Sequence, residues 1–586
     1  MKRRTFVLAM AAACLSLTFM GCSSGEDKDK ETDKDNTEDV TDTDNEGEEA
    51  NEDEIPIKDL SDATVEEAWA YADEIIAEIQ AKEPTFGDYQ VSIADFGAVA
   101  KDAEVEKSEE RQLAIDNTKA IYEAIKDVNA KEGGGIVNVP AGIWYTGPIH
   151  LLSNVNFHLE EGAIIRFATD TDLYAGDLTK ELYGSELTFV RIEGTECYNY
   201  SPFIYAMDQD NVALTGQGIL DGQARGDYWT RWKGNGEPES NNALRKMGAD
   251  GTKVEERQFG EASGEPGEVT DGYIRPNFVV FINCDQLLIE GLELINTPAW
   301  QVQPVYCNYV TVRGMNLNSP TNPNSDGIDP DSCKYVLIED NTFNTGDDCI
   351  AIKSGRNEDA RRVGIACENI VIQNNTMEIG HGAVTLGSEA SAGIRNVFAR
   401  NNLMNDSAEE VIFRFKNSII RGNVFENIYY KDNTVTAFKS KRNMIVFESD
   451  YGVESETEYY ESEGMKITPL DPITRNVYID NLKCNEDVKC AIAIRMEGIE
   501  SCPIENIHFS NMAFGVVNQF MELSYVDGLT LENCTIEENM VADTFTSCKN
   551  LTFKNITFKN PEENVTNDYS SIENFTEENI VYGGSE

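Results

Sequence analysis

Three aspartates and one of only four histidines sit in short phrases that could do acid–base chemistry. Asn324-Ser325-Asp326 comes first, then Gly346-Asp347-Asp348, Gly380-His381-Gly382 and Arg414-Phe415-Lys416. Singly, each phrase is ordinary. Asn-Ser-Asp is turn chemistry, Asp-Asp is a common surface pair, and Arg-Phe-Lys on a strand is usually a solvated face. Crowded onto one surface they mean more, because three neighbouring carboxylates cannot all ionise cheaply. At least one should then keep its proton near neutrality. A protonated acid beside an ionised base is the pairing that cleaves glycosidic bonds, and adjacent cations would suit a carboxylated sugar.

A repeat would bring these phrases together. It reads apolar, any residue, apolar or small, any residue, then Gly, Asn or Asp. Copies are Val212–Gly216, Leu287–Gly291, Val310–Gly314, Val336–Asp340, Ile370–Asn374, Val397–Asn401, Ile428–Asp432, Val477–Asn481, Ile507–Asn511, Leu529–Asn533 and Leu551–Asn555. Their last residues tolerate left-handed backbone angles, so a sharp turn follows each short strand. The shortest spacing, 22 residues from Leu529 to Leu551, suits one coil of a parallel β-helix and is too short for a βαβ unit. Cys284, Cys307, Cys333, Cys367 and Cys548 each precede a phrase by three residues, which reads them as small hydrophobes stacked along a solenoid. The fold expected is all-β, a parallel β-helix.

Laying one coil on the next stacks Asp347 on His381 and Asp348 on Gly382. Asp326-Gly-Ile-Asp329 aligns with Asp348-Cys-Ile-Ala351, which puts Asp326 beside Asp348. Ile412–Lys416 matches Ala383–Gly387, so Arg414 and Lys416 point outward, with Lys353 on the same outer face. Upstream, Thr64–Lys82 is amphipathic, and Asp116–Lys131 is a second predicted helix that would cap the open end of the core. Gly133-Gly134-Gly135 turns into a strand at Ile136–Val139. No phosphate-binding helix follows, so this is no nucleotide loop.

The 586-residue chain has 104 acidic against 48 basic side chains and a formal net charge of −56. That balance excludes nucleic-acid binding and a polybasic grip on anionic lipid. Lys2, Arg3 and Arg4, the apolar run Phe6–Met20 and the Gly21-Cys22 junction resemble a bacterial lipoprotein signal. Residues 23–54 hold 16 acidic residues and three lysines, a self-repelling spacer. The organisation expected is a leader over 1–21, lipidated Cys22 opening an acidic tether over 22–54, a helical segment over 55–88 and a β-helix over 89–586. The protein should lie outside the cytoplasm, held to the cell envelope only by its lipid, and act as a monomer. Of the 13 cysteines, Cys14 and Cys22 belong to this leader and junction. The rest are odd in number, so they cannot all pair within one chain.

The four ordered motifs resemble those of the polygalacturonase family, glycoside hydrolase family twenty-eight. Its members show Asn-Thr-Asp, Gly-Asp-Asp, Gly-His-Gly and Arg-Ile-Lys on a right-handed parallel β-helix. Asp95-Phe96-Gly97-Ala98 and Gly133–Pro140 also look like its opening, so the resemblance spans roughly residues 90–560. It implies hydrolysis of α-1,4-galacturonide bonds in pectin with inversion, and neither cofactor nor metal. By motif, Asp347 would be the general acid and Asp326 and Asp348 would activate water. His381 would support the acid, Asn324 and Lys353 would contact substrate, and Arg414 and Lys416 would hold its carboxylate. Ser325 and Phe415 depart mildly from the pattern. Gln303 stands where bacterial relatives often carry histidine, which would alter a sugar subsite. The sequence after Lys416 also departs, which leaves a decorated or rhamnose-containing pectin open as substrate. Trp229, Trp232 and the insert to about Arg275 would wall one end of the cleft and favour exo action. Two other classes remain open at this stage: a pectate-lyase-like β-eliminase holding calcium on the aspartates, and a non-catalytic glycan-binding β-helix.

Overall fold

The repeat phrases lie in parallel register, one on the next. Val212 pairs with Leu287, Leu287 with Val310, and the series runs without a slip to Leu529 on Leu551. Every fifth residue has positive φ, from 54° at Asn481 to 127° at Gly216. The turn chemistry of Gly, Asn and Asp is thus what sets the corner of each coil. Most described strands join one large parallel sheet that winds on itself as a right-handed β-helix. The computed structural model describes residues 57–586 except 226–228, 261–271, 406–409, 439–440, 467, 564 and 584–586. The leader, Cys22 and the acidic tether lie outside the described residues. Asp59–Glu586 forms one compact unit.

Inside the coils, first and third phrase residues fill a continuous apolar core. Cys284, Cys307, Cys333 and Cys367 are fully buried there, and all the described cysteines are free thiols. Just past the corner, Asn341, Asn375, Asn402 and Asn433 form a buried ladder. The side-chain oxygens of Asn375, Asn402 and Asn433 each accept the backbone N–H and Nδ2–H of the asparagine one coil earlier, all at 3.0 Å. The corner's polar groups are therefore satisfied without water.

Helix α1, Val65–Ala81, is capped by Thr64 with Glu67 in a capping box. It docks on the outside of the solenoid, where Trp69 packs edge-on against Phe398 and the Tyr71 hydroxyl accepts from Asn369. Seventeen residues at about 1.5 Å each cover about five coils spaced about 4.8 Å apart. That reach explains why the outward residues Leu337, Val371, Phe398 and Tyr429 are apolar and buried. Helix α2, Lys107–Asn129, begins nine residues before the predicted start at Asp116. Its polar first turns are held by tertiary contacts instead of an apolar stripe: Glu109 pairs with Lys101, and Glu110 accepts from the Thr169 N–H. Its buried face, including Ala114, Ile121, Ile125 and Val128, covers the first coil as expected.

The face carrying the chemistry contains Val302–Val305, Ile350–Ile352, Gly382–Leu386, Val411–Lys416 and Ile445–Glu448, with Ile328 bridging Val302 and Ile350. Two long insertions rise beside it. The one between Asp221 and Val279 carries α3, Glu237–Ala249; the one between Glu448 and Ile473 carries α4, Val453–Ser462.

Candidate active site

Asp326, Asp347 and Asp348 each offer a carboxylate oxygen within 4.8 Å of the others. Among the described residues this is the one group of three or more carboxylate, imidazole or thiolate side chains so closely drawn together. The register is the predicted one. The Gly327 N–H donates to the Asp348 carbonyl at 3.0 Å, and the His381 N–H donates to the Asp347 carbonyl at 3.0 Å. Thr385 pairs with Arg414 across the next two strands. Glycine at 382 is required sterically, since a Cβ there would lie 2.8 Å from Asp348 Oδ1 and 2.3 Å from Thr385 Oγ1.

Each carboxylate has a different neighbour. His381 Nδ1 lies 3.3 Å from Asp347 Oδ1, and Asn324 Nδ2 donates to Asp347 Oδ2 at 3.3 Å. Lys416 Nζ holds Asp348 Oδ2 at 2.5 Å. Among the described residues Asp326 has only Lys353 Nζ as a cationic neighbour, at 3.9 Å. The proton expected in this cluster therefore falls on the inner carboxyls. Burial, followed by the charge of Asp347, pushes Asp326 well above the usual carboxylate range; burial does the same for Asp329 beneath it. Burial also pushes Asp347 up, but its hydrogen bond to His381 and the charges of Lys416 and Lys353 outweigh this and hold it at about 2. Asp347, the residue predicted as the acid, is thus drawn toward its ionised form.

The cations are largely committed to protein carboxylates. Lys353 sits on Glu389 at 3.1 Å and lies 3.7 Å from Asp329, with the Trp300 ring centre 4.4 Å from its ammonium. It lines the cleft but positions the floor more than it faces the opening. Arg414 donates to Glu448 at 3.1 Å. The Tyr451 ring lies over both Arg414 and Lys416, 5.2 and 5.5 Å away.

A cleft of about 530 Å³ opens above the aspartates. Its walls come from parts of the chain that the motifs do not touch. Glu237, Asn241 and Arg245 come from α3, and Tyr451, Ser455 and Glu456 from the α4 insertion. Beneath them runs a buried ionic chain. Glu389 binds Arg356 at 2.6 Å, Arg356 binds Glu456 at 2.9 Å, and Arg421 donates to Glu456 at 2.9 Å. The antiparallel hairpin Thr188–Ile192 and Thr195–Asn199 completes the wall. At its tip a Cβ on Gly194, where φ is +78°, would meet the Arg356 nitrogen at 2.7 Å.

Two expectations need correcting. Gln303 does not line the cleft: it is buried, accepting from Asn277 at 2.7 Å and donating to the Arg191 carbonyl at 3.0 Å. Only Asn277 reaches the cavity, so any effect of Gln303 passes through it. Trp229 and Trp232 are not sugar-facing walls either. Both are buried in an aromatic cluster with Tyr174, Tyr200, Phe203 and Tyr273 that staples the insertion down. The missed residues Glu193, Arg356, Glu389 and Glu456 left no sequence signal, since they meet from loops of unrelated length. Tyr451 lies in the insertion after Lys416 and likewise carries no repeat phrase.

A parallel β-helix with a carboxylate triad, a supporting imidazole and a cation-lined cleft defines a carbohydrate-active solenoid. The family model for Glycosyl hydrolases family 28 matches residues 244–516. A hyperthermoactive exopolygalacturonase from Thermotoga maritima is 31% identical, with 88% of this chain and 96% of that one covered and a TM-score of 0.65. A probable polygalacturonase of Vitis vinifera is 28% identical over 72% of this chain and 74% of its own. The family 28 exopolygalacturonase of Yersinia enterocolitica, at 20% identity and a TM-score of 0.59 over 83% of this chain and 78% of its own, shares the fold. The chain belongs to glycosyl hydrolase family 28 and is a glycosidase.

Proposed function

We propose that this glycosidase cleaves α-1,4-galacturonide bonds of pectic polysaccharide from a chain end, by a single inverting displacement. The observation that carries the reading is the triad itself: three aspartates within 4.8 Å, one on His381 and one on Lys416, under a cleft with cations in its walls. Asp347 stands at the half-exposed mouth, where a leaving oxygen can reach it. Asp326 and Asp348 lie deeper and would draw the proton from the attacking water. A uronate carboxylate entering beside Lys416 adds negative charge next to Asp347 and weakens what keeps it ionised, so substrate itself loads the acid. Asn324 and Lys416, which line the cleft, make the polar contacts to the sugar, while Arg414, expected to join them, is held by Glu448 behind the Tyr451 ring. The exo mode is supported by the α3 and α4 insertions, which wall the cleft, and by the exopolygalacturonase from Thermotoga maritima.

The decisive experiment follows the products from homogalacturonan by proton NMR, with and without chelator. The expected result is saturated galacturonic acid released from the start, with the β anomer appearing first. Carboxyl groups of inverting enzymes usually stand about 6.5–9.5 Å apart, and this triad is tighter, so the anomer is the sharp test. An α anomer would replace single displacement with a covalent intermediate. Mixed oligomers at early times would remove the exo mode. An unsaturated product abolished by chelator would turn the reading to a calcium-dependent lyase, since three close carboxylates also suit a hard cation.

We also propose that Cys22 is lipidated, so that residues 23–54 space the enzyme from the outer side of a membrane. Cys22→Ser should then abolish metabolic labelling by a fatty acid and release the protein from the membrane fraction. Retention of both would defeat the anchor.

A further inference from the structure

The cleft has six cationic side chains in its lining, and five of them are already neutralised. Arg245 pairs with Glu193, Arg275 with Glu237, Lys353 with Glu389, Arg356 with Glu389 and Glu456, and Lys416 with Asp348. The sixth, Lys233, is exposed and has no carboxylate partner among the described residues. Its place is nevertheless fixed. It follows Trp232, whose ring packs 5.0 Å from Trp229 and 4.6 Å from Tyr273. Arg275, on the return of the same insertion, donates to the Pro298 and Pro323 carbonyls at 2.7 and 2.9 Å and to Asn324 Oδ1 at 3.1 Å. The insertion is thus bolted to the Asn324-Ser325-Asp326 turn. A chain of formal charge −56 repels a polyanionic substrate, so a free ammonium at the cleft edge has a large local effect.

From this we infer that Lys233 reads the carboxylate of the sugar lying against the insertion, and so sets preference for free-acid over methyl-esterified substrate. It is a specificity residue supplied by the insertion; the family match begins after it, at residue 244. The inference rests on the polyuronide reading and makes that reading's terminal contact specific. The ammonium donates to a carboxylate but meets only a neutral ester after methylation, so its contribution is selective for the charged sugar.

The test compares wild type, Lys233→Gln, Lys233→Arg and Arg231→Gln on trigalacturonate and on its methyl ester. Arg231 faces a separate cavity with Lys107 and Arg111 and serves as the control. Lys233→Gln should raise KM for the free acid about tenfold, as loss of a charge-assisted hydrogen bond does. Its kcat should stay within about twofold, and KM for the ester should not move. Lys233→Arg should keep most of the affinity, and Arg231→Gln all of it. The rise of KM with salt should flatten in Lys233→Gln. Wild-type KM and salt response in Lys233→Gln would overturn the inference while leaving the galacturonide reading standing. An equal loss on acid and ester would overturn it too, as would an equal loss in Arg231→Gln. Wild type inactive on both substrates would overturn the galacturonide reading, and this inference with it.

Discussion

Replacing Asp347 by Asn should lower kcat on oligogalacturonide by about 10³–10⁴-fold, the upper range for removal of a general acid. KM should change little, because the Asn324 contact to this position survives the substitution. The loss should depend on the leaving group. An aryl galacturonide whose phenolate departs without a proton should recover most of the deficit in Asp347→Asn, while Asp326→Asn and Asp348→Asn stay inactive on both substrates. Rescue of Asp326→Asn in place of Asp347→Asn by the aryl substrate would deny Asp347 the acid role and give it to Asp326, whose burial favours the protonated form. His381 makes the same assignment visible in pH. Its hydrogen bond to Asp347, against burial, raises the imidazole above 6.5. The His381–Asp347 pairing is therefore fully formed below that value and is lost as pH rises through the raised one. Activity should fall along this alkaline limb, and His381→Gln should lack the limb. Persistence of the limb in His381→Gln would assign it to another group.

What the sequence yielded follows from what a β-helix repeats. The corner that closes each phrase needs positive φ, so Gly, Asn or Asp returns there in every coil and marks the register of the strand before it. Asp347 and His381 each sit seven residues past such a corner, at Asp340 and Asn374, whereas Asp326, Arg414 and Lys416 align through the apolar pattern of their own strands, and the structure has both sets in that register. The same logic could have found the Asn341–Asn433 ladder, since each member directly follows a corner residue. Residues off the repeat were beyond it. Glu456 reaches Arg356 across 100 positions and Arg421 across 35, through an insertion whose path no periodicity constrains. Gln303 was misplaced for a related reason. Strand alternation tells inward from outward, but a side chain that points outward can still be roofed by Asn277 and the hairpin above it. Trp229 and Trp232 show that aromatic residues beside a sugar cleft can be anchors for the wall and not its surface.

Arg191→Met should cost about 3–5 kcal/mol of unfolding free energy, the range for leaving one partner of a buried ion pair behind. Arg191 and Asp331 are both fully buried; Nη1 donates to Asp331 Oδ1 and to Ser332 Oγ, each at 2.9 Å, and the Tyr306 ring lies 4.9 Å from the guanidinium. Burial already pushes Asp331 above the usual carboxylate range, and Arg191 is what pulls it back. Without the arginine the carboxyl must fold as the neutral acid. The folded state then binds a proton that the unfolded state gives up, so the deficit is small below the unfolded carboxylate pKa and grows as pH rises through the new folded one. Urea unfolding of wild type and variant across acid and neutral pH measures this directly. Arg191→Met combined with Asp331→Leu should regain most of the loss, because the charge to be neutralised is gone. The pair also matters for the site: it ties the hairpin that carries Glu193 to the coil that follows Asp326 and Asp329. Loosening it should raise KM through the cleft wall before it lowers kcat at the triad. A stability deficit that is small and flat with pH would mean that Asp331 needs no cation in this core.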